Sequence, residues 1–159
     1  MGGGSYNYIK AQSRGFAASS RSNTEIFRQR TISDEMNIRG KVREARDSEE
    51  HPESFPIIIA LDTTGSMGDI PRDLVINSLP EIMKAIIDAG IPHPQLCFLG
   101  VGDAYYDKCP IQCGQFESSD ELMEKWLKLV YLEGGGGGNG GEGDGDAGIE
   151  EGELAHANR

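Results

Sequence analysis

Long apolar runs, paired cysteines and an excess of positive charge are all missing from this 159-residue sequence. No apolar stretch approaches the roughly 20 residues that a membrane-spanning helix needs, so no membrane partner is expected. The first residues also lack the apolar core of a secretory signal peptide. Only 15 Lys and Arg stand against 26 Asp and Glu. Because nucleic-acid binding needs clustered positive charge, no nucleic-acid partner is expected either.

The three cysteines, Cys97, Cys109 and Cys113, form no C-x-x-C pair. An odd number without such a pair argues against a disulfide framework and against a cysteine-based zinc site. We therefore expect reduced thiols and a cytoplasmic protein. The histidines are scattered beside proline or near the end of the chain, and we expect them to be exposed to solvent.

Both ends of the chain differ in composition from its middle. Residues 1–53 are polar and rich in Ser and Arg, which predicts a disordered, extended arm that packs locally through Ile26 and Phe27. Residues 134–159 are acidic and hold half of the 22 glycines, which predicts a disordered tail without a core. The folded domain is therefore expected within residues 54–133.

The middle of the chain has the pattern of an α/β domain. Residues 56–61 form an apolar, isoleucine-rich run, typical of a strand covered on both faces in a parallel sheet. A helix is predicted next, and Pro80 should kink or split it because proline cannot bond back to Ile76. A second buried strand at residues 95–103 completes a βαβ unit. The apolar face of the helix is Val75, Leu79, Ile82, Met83 and Ile86.

A short strand and a second helix are predicted after this unit. The half-polar residues 110–117 indicate an edge strand. Ser118 and Glu121 have the spacing of a capping box at the start of an amphipathic helix. The apolar face of this helix is Leu122, Met123, Trp126, Leu127 and Val130.

Polar side chains follow the first predicted strand. Asp62 ends the strand, and Thr64 and Ser66 occupy alternate positions behind it. Ligands of parallel α/β proteins bind beyond the carboxyl ends of the strands, and hard oxygen atoms of this kind suit Mg²⁺. The alternative is that Asp62 caps the next helix while the hydroxyls satisfy amides of the loop.

The segment IIIALDTTGSMG, residues 57–68, resembles the first motif of von Willebrand factor A (VWA) domains, an apolar strand followed by Asp-x-Ser/Thr-x-Ser. The resemblance implies a three-layer, Rossmann-like α/β fold with a mostly parallel sheet flanked by helices. It also implies a metal-ion-dependent adhesion site (MIDAS) in which Asp62, Thr64 and Ser66 are ligands of Mg²⁺ or Mn²⁺. A protein partner would then offer an Asp or Glu to the metal.

The later elements of a VWA domain have no counterpart in the sequence. The family takes a fourth ligand, usually Thr, from the loop after the second helix, and that loop here is GGGGGNGG. The chain therefore resembles a VWA domain that is truncated after its N-terminal half. Metal binding is expected to be weak or absent. Its uncovered sheet edge is expected to favour self-association.

A second resemblance competes for the same residues. DTTGS resembles the aspartyl-phosphate loop of P-type pumps, and GDAYYD resembles the magnesium motif of their haloacid dehalogenase superfamily. It implies an Mg-dependent aspartyl-phosphate hydrolase with Asp62 as nucleophile and Asp103 and Asp107 on the metal. Only one helix and one strand separate the two motifs, fewer than that fold has, so a binding module that is not an enzyme is preferred. Asp103 and Asp107 are then either outer groups of the MIDAS or ordinary loop acids.

Overall fold

The computed structural model describes residues 4–102 and 110–132, apart from the side chain of Ser66. The predicted disordered tail therefore lies outside the described residues, as do Asp103 and Asp107. Within the described ranges, no helix is long and apolar enough to cross a membrane.

The described residues form a mixed α/β fold in which helices flank a three-stranded sheet. The strands are β1 (Phe55–Asp62), β2 (Pro94–Val101) and β3 (Ile111–Cys113). The helices are α1 (Tyr8–Ala18), α2 (Asn23–Ile26), α3 (Ile70–Asp73), α4 (Leu79–Asp88) and α5 (Asp120–Lys128). Strand β2 is central, parallel to β1 and antiparallel to β3. The predicted α/β class and the predicted edge strand are confirmed.

Proline splits the helical region between β1 and β2, as the sequence predicts. Pro80 is the second residue of α4, so the carbonyl of Ile76 meets no N–H four residues later. The backbone instead widens into a π-helical segment, Leu74–Ser78, in which the N–H of Leu79 bonds to the carbonyl of Leu74. On the predicted apolar face Ile82 is the exception, because 37% of its surface is exposed.

Helix α5 begins one residue later than the predicted capping box implies. Ser119, not Ser118, is the N-cap, and its hydroxyl accepts the N–H of Leu122 at 3.3 Å. The capping box of Ser118 and Glu121 is therefore wrong. Most of the predicted apolar face is buried, namely Met123, Trp126, Leu127 and Val130.

The prediction of a disordered N-terminal arm is wrong for residues 4–53. Helix α1 packs into the domain through its small residues, of which Ala11, Gly15 and Ala18 are buried. Small side chains give little hydrophobic signal, so the sequence pattern did not predict this helix. Ile26 and Phe27 are buried, as expected. The domain boundary at residue 54 stays a prediction.

The prediction that β1 is covered on both faces is also wrong. Ile57 and Ile59 pack against the core, whereas Ile58 on the opposite face is 59% exposed. In the described part of the chain β1 pairs with β2 alone, so its other edge is open. The N–H of Phe55 donates to the carbonyl of His93, just before β2, and the N–H of Thr63 donates to the carbonyl of Val101, at the end of β2. The odd-numbered residues of β1 therefore direct their backbone groups toward β2, and the even-numbered residues direct theirs outward. Pro56, which has no N–H, stands in this outward set, as is usual on edge strands.

Replacing Ile58 with lysine should weaken self-association of the protein. A charge on the exposed face of an edge strand opposes pairing with another copy, and Ile58 makes little core contact that the change would lose. Light scattering over a concentration series should show association of the wild type and a smaller effect in the variant. Val42→Lys is the matched control, since Val42 is 79% exposed and lies outside the strands. A wild-type protein that stays monomeric at every concentration would contradict the prediction.

Candidate metal centre

The loop after β1 is fixed on the end of β2. The N–H of Thr63 donates to the carbonyl of Val101 at 2.9 Å, which extends the strand pairing past Asp62. Thr63 is buried, and its methyl group lies against Gly100, where an added Cβ would be only 3.0 Å away. A side chain at position 100 would therefore press on Thr63, so glycine is favoured at this position.

Asp62 lies at the carboxyl end of β1 with its side chain exposed. Its Oδ1 accepts the backbone N–H of Thr64 at 2.8 Å. Hydrogen bonds from the Thr64 hydroxyl and then from the Thr64 N–H lower the pKa of Asp62 below its ordinary value, and partial desolvation opposes them. Asp62 is therefore an ionised carboxylate at neutral pH.

Thr64 and Ser66 belong to the turn that follows. Thr64 precedes the 3₁₀ turn Gly65–Met67, and its carbonyl accepts the N–H of Met67 at 3.2 Å. Gly68 then has φ of 53°, a left-handed conformation that favours glycine, and reverses the chain toward α3. The structure thus brings Asp62 and Thr64 together. Ser66 lies in the same turn, but its side chain is outside the described set, so its role as a ligand stays a prediction.

The structure contains part of the non-metal alternative as well. One oxygen of Asp62 satisfies an amide of the loop, as a purely structural carboxylate would. Asp62 caps no helix, however, because the N-cap position of α3 is Asp69.

The chemistry of this donor set fits a divalent cation. The Thr64 hydroxyl donates a hydrogen bond to Asp62, and a hydroxyl that donates its hydrogen keeps the oxygen lone pairs through which it can bind a cation. A carboxylate and a hydroxyl are the hard oxygen donors that Mg²⁺ and Mn²⁺ prefer. In residues 4–102 and 110–132 no three His, Cys, Asp or Glu side chains converge on a metal position, so a site here depends on its hydroxyls.

Sequence analysis missed a contact between His51 and His93. His51 is only 6% exposed, so the expectation of a solvent-exposed histidine is wrong for this residue. Its Nδ1 lies 3.2 Å from the Nδ1 of His93. The two residues stand just before β1 and β2, and the parallel pairing of those strands brings them together. No spacing rule links positions so far apart in sequence.

Comparison of the chain with protein-family models, with curated proteins and with solved structures gave no match. The resemblances to VWA domains and to haloacid dehalogenases therefore depend on the residues quoted for them.

Proposed function

We propose that this chain is a VWA-like, metal-ion-dependent protein-binding module and not an enzyme. Asp62, Thr64 and Ser66 would hold Mg²⁺ or Mn²⁺ at the carboxyl edge of the sheet. A partner protein would bind by offering an Asp or Glu carboxylate to the open side of the cation.

One observation carries the proposal: the exposed Asp62 carboxylate accepts two hydrogen bonds from Thr64 at the end of a parallel strand. These bonds orient the carboxylate before any cation arrives, so little side-chain entropy is lost on binding. They also keep it ionised, which a cation ligand requires.

The charge of the chain fits this mode of recognition. With a formal net charge of -11, the protein repels an acidic partner at long range. A divalent cation between two carboxylates offsets that repulsion locally. The same negative charge supports a function without nucleic acid.

We also propose a reducing, cytoplasmic setting. Cys97 and Cys113 are free thiols although their sulfur atoms lie only 3.7 Å apart. Burial, and then the neighbouring Cys113 thiol, raise the pKa of Cys97 to about 12, so this thiol is a poor nucleophile.

Replacing Asp62 with alanine should abolish binding of Mg²⁺ and Mn²⁺. Asp62 is the only carboxylate among the three proposed ligands, and binding by the wild type should already be weak, in the millimolar range. Isothermal titration calorimetry on the full chain measures it. Asp88→Ala is the control, because Asp88 is also an exposed carboxylate, at the end of α4, where it pairs with Lys84. Equal binding by the wild type and Asp62→Ala would contradict the site.

An aryl phosphate assay with Mg²⁺ separates this proposal from the hydrolase alternative. The protein-binding module has no turnover. Turnover that Asp62→Asn abolishes would instead identify Asp62 as a phosphoryl-accepting nucleophile.

A further inference from the structure

The contact between His51 and His93 lies at the opposite end of the sheet from Asp62. Both histidines precede the amino ends of their strands, and the eight residues of β1 separate them from the candidate metal centre. Eight residues of extended strand span roughly 25 Å. Whatever the pair does is therefore independent of the proposed Mg²⁺ site.

The hydrogen bonds of His51 define its proton. The Nε2 atom lies 2.7 Å from the carbonyl oxygen of Gly4, which can only accept, so Nε2 carries the hydrogen. In the neutral ring Nδ1 has a lone pair, which accepts a hydrogen bond from the Nδ1–H of His93 at 3.2 Å. Gly4 is itself held, because its N–H donates to the carboxylate of Glu50 at 3.0 Å. The His51 ring is thus fixed with a basic nitrogen turned toward the second imidazole.

The two rings border a cavity of about 280 Å³. Tyr6 and Ser118 also line this cavity, and their hydroxyls are buried without a hydrogen-bond partner among the described residues. Ser118 is only 3% exposed.

His93 also has an unusual backbone. Its φ is 41°, the single positive φ of a non-glycine residue in the described chain. A β-carbon makes this conformation unfavourable, and such strain is concentrated at functional sites. Because the strained residue places its ring against a buried histidine, the position of the His93 ring is inferred to serve a function.

We propose that His51 and His93 bind one transition-metal ion of the Zn²⁺ type through their Nδ1 atoms, the ion taking the place of the hydrogen between them while His93 carries its hydrogen on Nε2. Two nitrogens that are each about 2.05 Å from a tetrahedral zinc lie about 3.3 Å apart, close to the separation of the two Nδ1 atoms. The rings meet edge-on, with centroids 5.3 Å apart and planes inclined by 69°, so a rotation of the His93 ring can aim both lone pairs at one ion. Metal-bound histidines commonly donate their other N–H to a carbonyl, as His51 donates to Gly4.

The surroundings complete the site with water and negative charge. Solvent molecules on the ion would fill its remaining positions inside the cavity. Asp47 lies near His93, and hydrogen bonds from Ser54 hold the pKa of Asp47 below its ordinary value, so it is a negative charge at neutral pH. Its negative charge, with that of Glu50, favours a cation.

Titration of the full chain with Zn²⁺ alone tests the proposal. The wild type should bind one Zn²⁺ by calorimetry, and His93→Asn should bind it at least roughly a hundredfold more weakly. Asparagine tolerates a positive φ, so this variant preserves the backbone. His156→Asn and Cys113→Ser are the controls for the third histidine and for a thiol, and both should bind as the wild type does. Asp62→Ala should lose Mg²⁺ binding and keep Zn²⁺ binding, so the experiment distinguishes a failure of one proposed site from a failure of the other.

A measurement on the wild type avoids any effect of a variant on folding. In long-range ¹H–¹⁵N spectra, Zn²⁺ should shift the ring nitrogens of His51 and His93 and leave those of His156 unchanged. No Zn²⁺ binding at millimolar metal would overturn the proposal. So would unchanged ring signals of His51 and His93, or undiminished binding by a folded His93→Asn variant.

Discussion

Arg14→Met should lower the free energy of unfolding by roughly 3 kcal/mol, the low end of the range for breaking a buried ion pair. The Arg14 guanidinium joins α1 to α5 through Asp120 and through Glu124, whose Oε2 is 2.5 Å from Nε. Asp120 is only 6% exposed, and its Oδ1 also accepts the N–H of Asn7 at 3.1 Å. Loss of the arginine leaves this carboxylate buried without its counter-ion. The value is at the low end because Arg14 itself is 30% exposed.

Urea unfolding followed by the fluorescence of the single tryptophan, Trp126, measures the effect. Lys10→Met is the matched control, since it removes an exposed positive charge from the same helix. The double variant Arg14→Met, Asp120→Asn should recover part of the loss, because the uncompensated charge is then gone. A loss below about 1 kcal/mol would place Arg14 with ordinary surface ion pairs and would contradict the docking of α1 described above.

Gly15→Ala should destabilise the protein by roughly 2 kcal/mol, although the same change usually stabilises an exposed helix by about 1 kcal/mol. A Cβ at this position would lie 2.2 Å from the carbonyl oxygen of Ile76 and 3.1 Å from its carbon. That carbonyl cannot accept a hydrogen bond from Pro80, which has no N–H, and it lies against α1. The neighbour is backbone and cannot rotate away, so α1 must shift from the π-helical segment.

Urea unfolding also measures the stability of Gly15→Ala. The variant Ala17→Gly shows how much a glycine at an exposed position of α1 changes stability through helix propensity alone. Ala17 is exposed in α1, so that variant should lose about 0.5–1 kcal/mol through backbone entropy alone. Gly15→Leu should cost more than Gly15→Ala. A stabilised Gly15→Ala variant would show that α1 does not approach Ile76 closely.

The large side chains made much of the fold predictable. The isoleucine run of β1, the apolar run of β2 and the helical spacing of Met83 or Trp126 each predict an element that the structure contains. Pro80 even predicts the break before α4, because a missing N–H has one local consequence. These signals are local and strong.

The features that the sequence did not predict are those that depend on tertiary contacts. Helix α1 packs through alanine and glycine, so its buried face has no hydrophobic pattern to read. The isoleucines of β1 do not reveal how many strands are available to cover them, and Ile58 stays exposed at an edge. His51 and His93 meet only because β1 and β2 pair in parallel. By contrast, Asp62 and Thr64 are neighbours in sequence, and a single turn suffices to bring them together.

Paramagnetic broadening by Mn²⁺ tests the central claim, the cation site at Asp62, most directly. Substoichiometric Mn²⁺ added to ¹⁵N-labelled protein broadens the amide signals nearest to the bound ion. The account predicts the strongest broadening at residues 62–68 in the wild type, and the loss of that effect in Asp62→Ala but not in Asp88→Ala. Broadening that is strongest elsewhere in the chain, or that Asp62→Ala leaves unchanged, would contradict it.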